Sequence, residues 1–443
     1  MTSAVAPITA LLLGVSFLLM GSGLQGALLP VRATLENFSS LDVGILGSAY
    51  YLGFALGCFY GPQVVRHVGH IRTFTGMVAI ASSVVLVHAL LLTPWIWWTL
   101  RAATGFCFAV LYLVIESWLN EKSTNENRGL VFSIYTIITL TVITLGQMML
   151  VLDRPQNFLL FAIASILVSL AAVPVALARA EAPAPIKSVK VRLKHLFELS
   201  PIGVVGCFAV GLVNGAFWSL APVFALGDQA GPSGVAFFMS VAVIAGAVGQ
   251  WPIGRASDRM DRRIVIIIAC LGGALAGIGL GFLPQVWDRA TLVLVFAFGI
   301  FAFPIYSLAV AHMNDFVEPD GYVEASGGLL LVFAAGAVVG PLIASVIMRT
   351  WGSHTLFLYT ACAHAGMAAY AFYRTRRRQP LPQEERVAFA DSVRIAQTVS
   401  TVDPLPSDQV EASSEDREPT PIGDPQGADE EESPPGSSGR SPQ

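Results

Sequence analysis

Charged side chains are scarce in this chain of 443 residues: Asp, Glu, Lys and Arg make up 13% of it, about half the share of an ordinary soluble domain. So little charge cannot solvate the surface of a water-soluble fold of this length. Cysteine is equally thin. Cys58, Cys107, Cys207, Cys270 and Cys362 are odd in number, sit in apolar runs and contain no Cys-x-x-Cys, so neither a disulfide framework nor a metal site is expected. Catalytic signatures are missing too. There is no His-Glu-x-x-His, no Gly-x-Ser-x-Gly, no cluster of carboxylates and no nucleotide-binding P-loop, which argues against an enzyme, against direct drive by ATP and against a bound cofactor. The net charge of −4 arises mostly from the acidic stretch after Val402 and points to no nucleic-acid partner.

What the chain has is oil. Hydrophobic residues make up 54% of it, and apolar runs recur at about 8–29, 43–62, 73–93, 95–118, 130–152, 158–177, 202–226, 235–253, 264–283, 291–312, 327–348 and 355–373. Each suits a bilayer core about 30 Å thick, which roughly 20 helical residues cross. Backbone facing lipid must satisfy its own hydrogen bonds, so spans of this length are α-helices. The expectation is an all-α membrane protein of twelve transmembrane helices. The first run lacks a basic flank and reads as a retained helix rather than a signal peptide.

Lys and Arg in alternate loops set the orientation. Seventeen lie on one side, among them Arg66, Arg72, Arg255, Arg259, Arg262 and Arg263, and four on the other, Arg32, Arg154, Arg289 and Arg349. Both termini are therefore expected in the cytoplasm, in a bacterial inner membrane. The expected organisation is a six-helix bundle over 1–180, a basic linker over 181–200 whose lysines and arginines can rest on anionic lipid headgroups, a second bundle over 201–375, and a disordered acidic tail over 376–443.

The two bundles read as a repeat. A shift of 192 residues lays Gly23, Pro30 and Val31 on Gly215, Pro222 and Val223, and Gly57 on Gly249; a shift of 194 pairs Tyr112 with Tyr306 and Asn120 with Asn314. Parallel repeats of this kind place a solute site near the midplane between halves that rock about it.

The loop Gly254-Arg-Ala-Ser-Asp258-Arg259-Met-Asp261-Arg262-Arg263 resembles the signature G-x-x-x-D-R-x-G-R-R of the major facilitator superfamily, and Arg101-Ala-Ala-Thr-Gly105 resembles its R-x-x-x-G motif. The first-half loop keeps Gly69 and Arg72 but has Arg66 where the family has aspartate. Gly336-Ala-Val-Val-Gly340-Pro341 resembles a glycine-proline motif that antiporters carry in the fifth helix, which here has no proline. Phrases such as Gly47-Ser-Ala-Tyr50-Tyr51-Leu-Gly53 and Glu116-Ser-Trp-Leu-Asn120 are similar to the YcaD-like branch of bacterial permeases.

The resemblance implies a transporter whose signature aspartate, Asp258, meets a helix N-terminus of the opposite half. Arg66, Gly69, Arg72, Gly254, Asp258, Arg259, Arg262 and Glu324 are the expected cytoplasmic gate. It also implies a cavity lined by Gln25, Tyr50, Tyr51, Arg101, Tyr112, Gln147, Asn214, Trp218, Gln250 and Tyr306. Arg101 lies about 9 Å inside an apolar helix, where a charge needs a cavity, a partner or a route back to the surface. With Glu116, the one carboxylate placed inside a span, it is a candidate for proton coupling; the alternative for Glu116, close to the cytoplasmic end, is structural pairing with Arg66 or Arg72. The expected activity is movement of an unidentified small solute by a monomeric secondary transporter; the alternative is a membrane sensor or scaffold working through the tail.

Overall fold

The computed structural model describes residues 9–123, 128–177, 191–227, 231–282, 289–318, 321–377, 382 and 386–396. The first bundle comprises α1 (Thr9–Leu35), α2 (Ser40–Val68), α3 (His70–Leu90), α4 (Pro94–Lys122), α5 (Arg128–Met148, continued by a 3-10 turn at Met149–Leu152) and α6 (Leu159–Leu177). A short linker helix follows, α7 (Leu193–Leu199). The second bundle comprises α8 (Pro201–Leu226), α9 (Gly231–Arg259), α10 (Arg262–Phe282), α11 (Arg289–Asn314), α12 (Tyr322–Trp351) and α13 (Thr355–Thr375), after which comes α14 (Phe389–Ala396). Among the described residues, eleven helices are both long and apolar enough to cross a membrane. The twelfth expected span, α13, has 21 residues but carries three threonines and His364, which dilute its apolar character.

Local chemistry sets the ends. Ser39 and Asp42 form a reciprocal capping box at the start of α2: the Asp42 N–H donates to Ser39 Oγ at 3.2 Å and the Ser39 N–H to Asp42 Oδ2 at 2.9 Å. Gly69 turns the chain from α2 into α3 at φ 89°, a left-handed conformation that favours glycine.

Close helix crossings reveal the repeat in three dimensions. A Cβ on Gly23 would stand 2.4 Å from the Ile143 carbonyl oxygen, and one on Gly146 would stand 2.1 Å from that of Met20, so α1 and α5 touch backbone to backbone. In the second half Gly215 meets Ala337 at 2.5 Å and Gly340 meets Leu212 at 2.2 Å, joining α8 to α12. Gly105 against Tyr50 at 2.0 Å and Gly299 against Ala242 at 2.5 Å repeat the pattern for α4 on α2 and α11 on α9. Every pair is related by the shifts of 192 and 194 residues seen in the sequence. Such small-residue contacts are how helices associate without a hydrophobic drive between them.

The bundles meet where α2 packs on α12 and α8, α1 on α8, and α5 on α9. The outward faces are apolar: Leu271, Leu275 and Ile278 of α10 are exposed, as lipid-facing side chains should be. Residues 181–190 and the tail from 397 onward lie outside the described residues. Disorder was expected from 376; within that stretch α14 is helical, and the Phe389 ring packs into an apolar cluster of the second bundle.

Candidate functional site

A cavity of about 310 Å³ opens at the seam, walled by both halves. α1 contributes Ser22, Gly23, Gly26, Leu29 and Pro30; α2 contributes Val43, Leu46, Gly47, Tyr50, Tyr51 and Phe54. These spacings of three and four residues are one face of each helix. The remaining wall includes Arg101 and Tyr112 of α4, Ile143 and Gln147 of α5, Trp218 and Ser219 of α8, Met239 of α9, and Leu330, Phe333 and Ala334 of α12.

One end of the seam is sealed by contact without side-chain bulk. A Cβ on Gly44 would fall 2.2 Å from Ser345 Oγ, and one on Gly47 would fall 2.0 Å from Ser219 Oγ, so α2 lies directly on α12 and α8. Ser48 Oγ donates across the same junction to the Val338 carbonyl at 2.7 Å. This seal is at the end opposite the arginine-rich loops.

Arg101 does not return to the surface. Its guanidinium lies 4.4 Å from the centre of the Tyr50 ring, a cation–π contact worth roughly 0.5–2 kcal/mol, and among the described residues it is the one charged side chain in the wall. Tyr50 stands edge-on to Tyr51 with centroids 5.4 Å apart. Across the seam, Pro304 interrupts α11 by removing a backbone donor, and at that break Phe303 stacks on Trp218 at 5.7 Å with their planes 9° apart.

The cavity therefore gathers six of the ten expected residues: Tyr50, Tyr51, Arg101, Tyr112, Gln147 and Trp218. The other four lie outside its wall. Gln25 sits on α1 between the lining positions 22 and 26 but turned off their face, buried with Nε2 unbonded. Asn214 is one turn beyond Trp218, its Oδ1 buried and unbonded. Gln250 is eleven residues, or about 16 Å along the helix, from the lining Met239. Tyr306 packs edge-on behind Phe333, centroids 5.3 Å apart. Glu116 is buried one turn past Tyr112 toward the basic end. Sequence reasoning missed Ser22, Phe54, Ser219 and Phe333 of the wall. Their signal was helical phase, which apolar helices without a polar face leave unreadable.

The expected gate divides into separate groups. Arg66, Arg72 and Arg259 are exposed. Glu324 receives the Arg192 backbone N–H at 2.9 Å and its guanidinium at 3.0 and 2.9 Å, which ties α12 to the linker. Asp258, Arg262 and Gly254 belong to one cluster around the segment before and into α14. The resemblance implied a helix N-terminus of the opposite half for Asp258; the carboxylate accepts the Phe389 N–H at 2.8 Å, at the N-terminus of α14. Arg262 donates to Asp315 Oδ2 at 2.7 Å, to Ser257 Oγ at 3.0 Å and to the Val387 carbonyl, while Asp315 accepts the Val387 N–H at 3.0 Å. The Phe389 ring fills the space over Gly254, where a Cβ would stand 2.3 Å from it. Removing that ring by Phe389→Ala should release the segment: amide hydrogen exchange over 386–396 should rise to that of an exposed chain while α8 to α13 keep their protection. Unchanged exchange would contradict this docking.

Asp261 stands where the family signature has glycine, and it begins α10. Its Oδ1 accepts the Arg263 N–H at 3.0 Å, and the Arg263 guanidinium closes on both oxygens. Burial alone would raise this carboxyl, but the bonds from Arg263 outweigh it and hold it below the usual carboxylate range. A carboxyl held low binds fewer protons folded than unfolded, so its contribution is present at neutral pH and is lost as pH falls through its folded value. Asp261→Asn should therefore melt below the parent near pH 7, with the gap closing in acid; a gap independent of pH would refute the assignment.

Known proteins agree with this architecture. A family model described as Major Facilitator Superfamily matches residues 11–323 and 203–412. An "Uncharacterized MFS-type transporter" of Enterobacter sp. (strain 638) is 27% identical over 361 residues, covering 80% of this chain and 92% of that protein. The similarly described YcaD of Escherichia fergusonii is 26% identical over 357 residues, covering 80% and 92%. Among solved structures, the nucleoside transporter NupG superposes with a TM-score of 0.67 at 13% identity, covering 83% of this chain and 98% of its own. A bacterial homologue of the human lysosomal transporter Spinster, in an inward-facing and occupied conformation, gives 0.70 at 14% identity, covering 86% and 97%. Two six-helix bundles built on one repeat, with a family model that spans both, settle the kinship: this chain belongs to the major facilitator superfamily.

Proposed function

We propose that this protein is a secondary transporter of the bacterial inner membrane, moving a small solute by alternating access, with its basic loops and both termini in the cytoplasm. One observation carries the reading: the cavity is walled by both halves and sealed at one end by contacts that cross between them, Gly44 on Ser345 and Gly47 on Ser219. A cavity built this way changes exposure when the halves rock, whereas a pocket inside one bundle would not. The seventeen-to-four bias of Lys and Arg supports a periplasmic location for the sealed end, and with it an inward-facing conformation. Thiol labelling of Ser22→Cys, a wall position, tests it: reagent should reach the site from the cytoplasm in this state and from the periplasm once the seal opens. Reaction from one side alone under every condition would remove alternating access.

Coupling to protons fits Glu116, a buried acid between the cavity and the basic end. Glu116→Gln is expected to abolish accumulation driven by a pH gradient while sparing solute exchange at equal pH. Equal loss of both would assign Glu116 to structure instead.

A further inference from the structure

The charge of the solute can be read from the cavity wall. Arg101 is half-buried at the seam, about 10 Å inside α4 from its first residue, Pro94. A guanidinium presents five N–H donors and stays charged under all ordinary conditions. Here one face of it is occupied by the Tyr50 ring at 4.4 Å. Among the described residues no carboxylate pairs with it and no hydrogen bond engages its donors, and neither Asp nor Glu occurs in the wall. A charge at this depth is costly, and proteins normally place an acid beside it. The wall therefore presents one positive charge that no side chain of the wall offsets.

The remainder of the wall says what accompanies an anion bound there. Tyr50, Tyr51 and Phe54 stand on one side, and Trp218 and Phe333 on the other. Their faces suit a flat apolar body, and Gln147 and Ser219 add neutral polar groups. The volume of about 310 Å³ is at the small end of ligand pockets. A cationic solute would meet Arg101 with no acid to offset the repulsion.

We propose that the solute is a small aromatic organic anion, its acidic group held by Arg101 and its ring lodged between Tyr50 and Tyr51 on one side and Trp218 on the other. This deepens the transport reading and rests on it. Coupling through Glu116 would then bring a proton in with a negative solute, so that the pair carries no net charge.

The test is thermal stabilisation of purified full-length protein by a matched panel: benzoate, 3-phenylpropionate and indole-3-acetate, each beside the corresponding amine and alcohol, with chloride and phosphate as inorganic controls. At least one acid should raise the melting temperature, by mass action, where its amine, its alcohol and the inorganic anions do not. Arg101→Gln should weaken that acid by about 10- to 100-fold, the value of hydrogen bonds to a charged group. Arg101→Lys keeps the charge but loses the fork, and should keep the preference for acid over amine at reduced affinity. Gln147→Glu, which puts a carboxylate in the same wall, should erase the preference.

Stabilisation by amines or alcohols equal to that by acids, no stabilisation by any acid of the panel, or acid binding untouched in both Arg101 variants would each overturn the proposal. Labelling of Ser22→Cys separates the two claims. If its exposure alternates while acids show no advantage, the charge inference fails and transport stands. If an acid binds through Arg101 but exposure never alternates, the reverse holds.

Discussion

Gly47→Leu is expected to leave the protein folded and to stop it from closing the sealed end of the seam. A Cβ at this position would stand 2.0 Å from Ser219 Oγ and 2.4 Å from Ser219 Cβ, and its next contact, Pro341 at 3.6 Å, also belongs to the second half. None of these atoms lies in the bundle that contains Gly47. The steric cost therefore falls on the sealed conformation alone, and it vanishes when the halves part. Overpacking of this kind costs about 1–3 kcal/mol, and a bias of that size shifts a two-state equilibrium by about 5- to 150-fold. The variant should expose Ser22→Cys to periplasmic reagent, lose net transport and melt close to the parent. A lowered melting temperature with unaltered accessibility would mean that the contact belongs to folding and not to the cycle.

Gly105→Leu should do the opposite and cost the fold itself. Its Cβ would lie 2.0 Å from the Tyr50 carbonyl oxygen and 2.9 Å from the Phe54 nitrogen, backbone atoms of α2 in the same bundle. Backbone cannot rotate away, and this crossing exists whichever end is open. The loss should reach or exceed the upper end of the overpacking range, about 3 kcal/mol, read as a large drop in melting temperature or in recovered protein. Gly299→Leu, its repeat equivalent on α11, should behave alike. Gly76→Ala, with nothing within 4 Å of its Cβ, should be neutral. Gly105→Leu as stable as Gly76→Ala would show that the close crossing does not hold the bundle together.

These two glycines illustrate what a sequence of this kind discloses. The number and course of the helices were legible because lipid demands an apolar run of fixed length, and the repeat was legible because Gly57 and Gly249, or Gly23 and Gly215, must recur wherever two backbones touch. Which half a glycine faces was not legible: Gly47 and Gly53 lie six residues apart on α2, yet the first meets the opposite bundle and the second meets Ala102 in its own. Arg101 stood out as a charge in an apolar helix. Gln25 was equally visible as a polar residue but points between helices, since one residue of rotation is about 100° and α1 has no polar stripe to fix its phase. One donor to Asp258 could not be foreseen either. It is supplied by Phe389, well over a hundred residues away in a segment whose composition reads as unstructured.

The central claim is that the two ends of the seam open in turn. Paired spin labels at Asn37 and Thr350, exposed on opposite halves near the sealed end, and at Arg72 and Arg259, exposed on opposite halves at the basic end, would report both gaps in one preparation. Introducing Gly47→Leu should lengthen the first distance and shorten the second. If both distances stay fixed, or lengthen together, the halves do not rock about the cavity and the account fails.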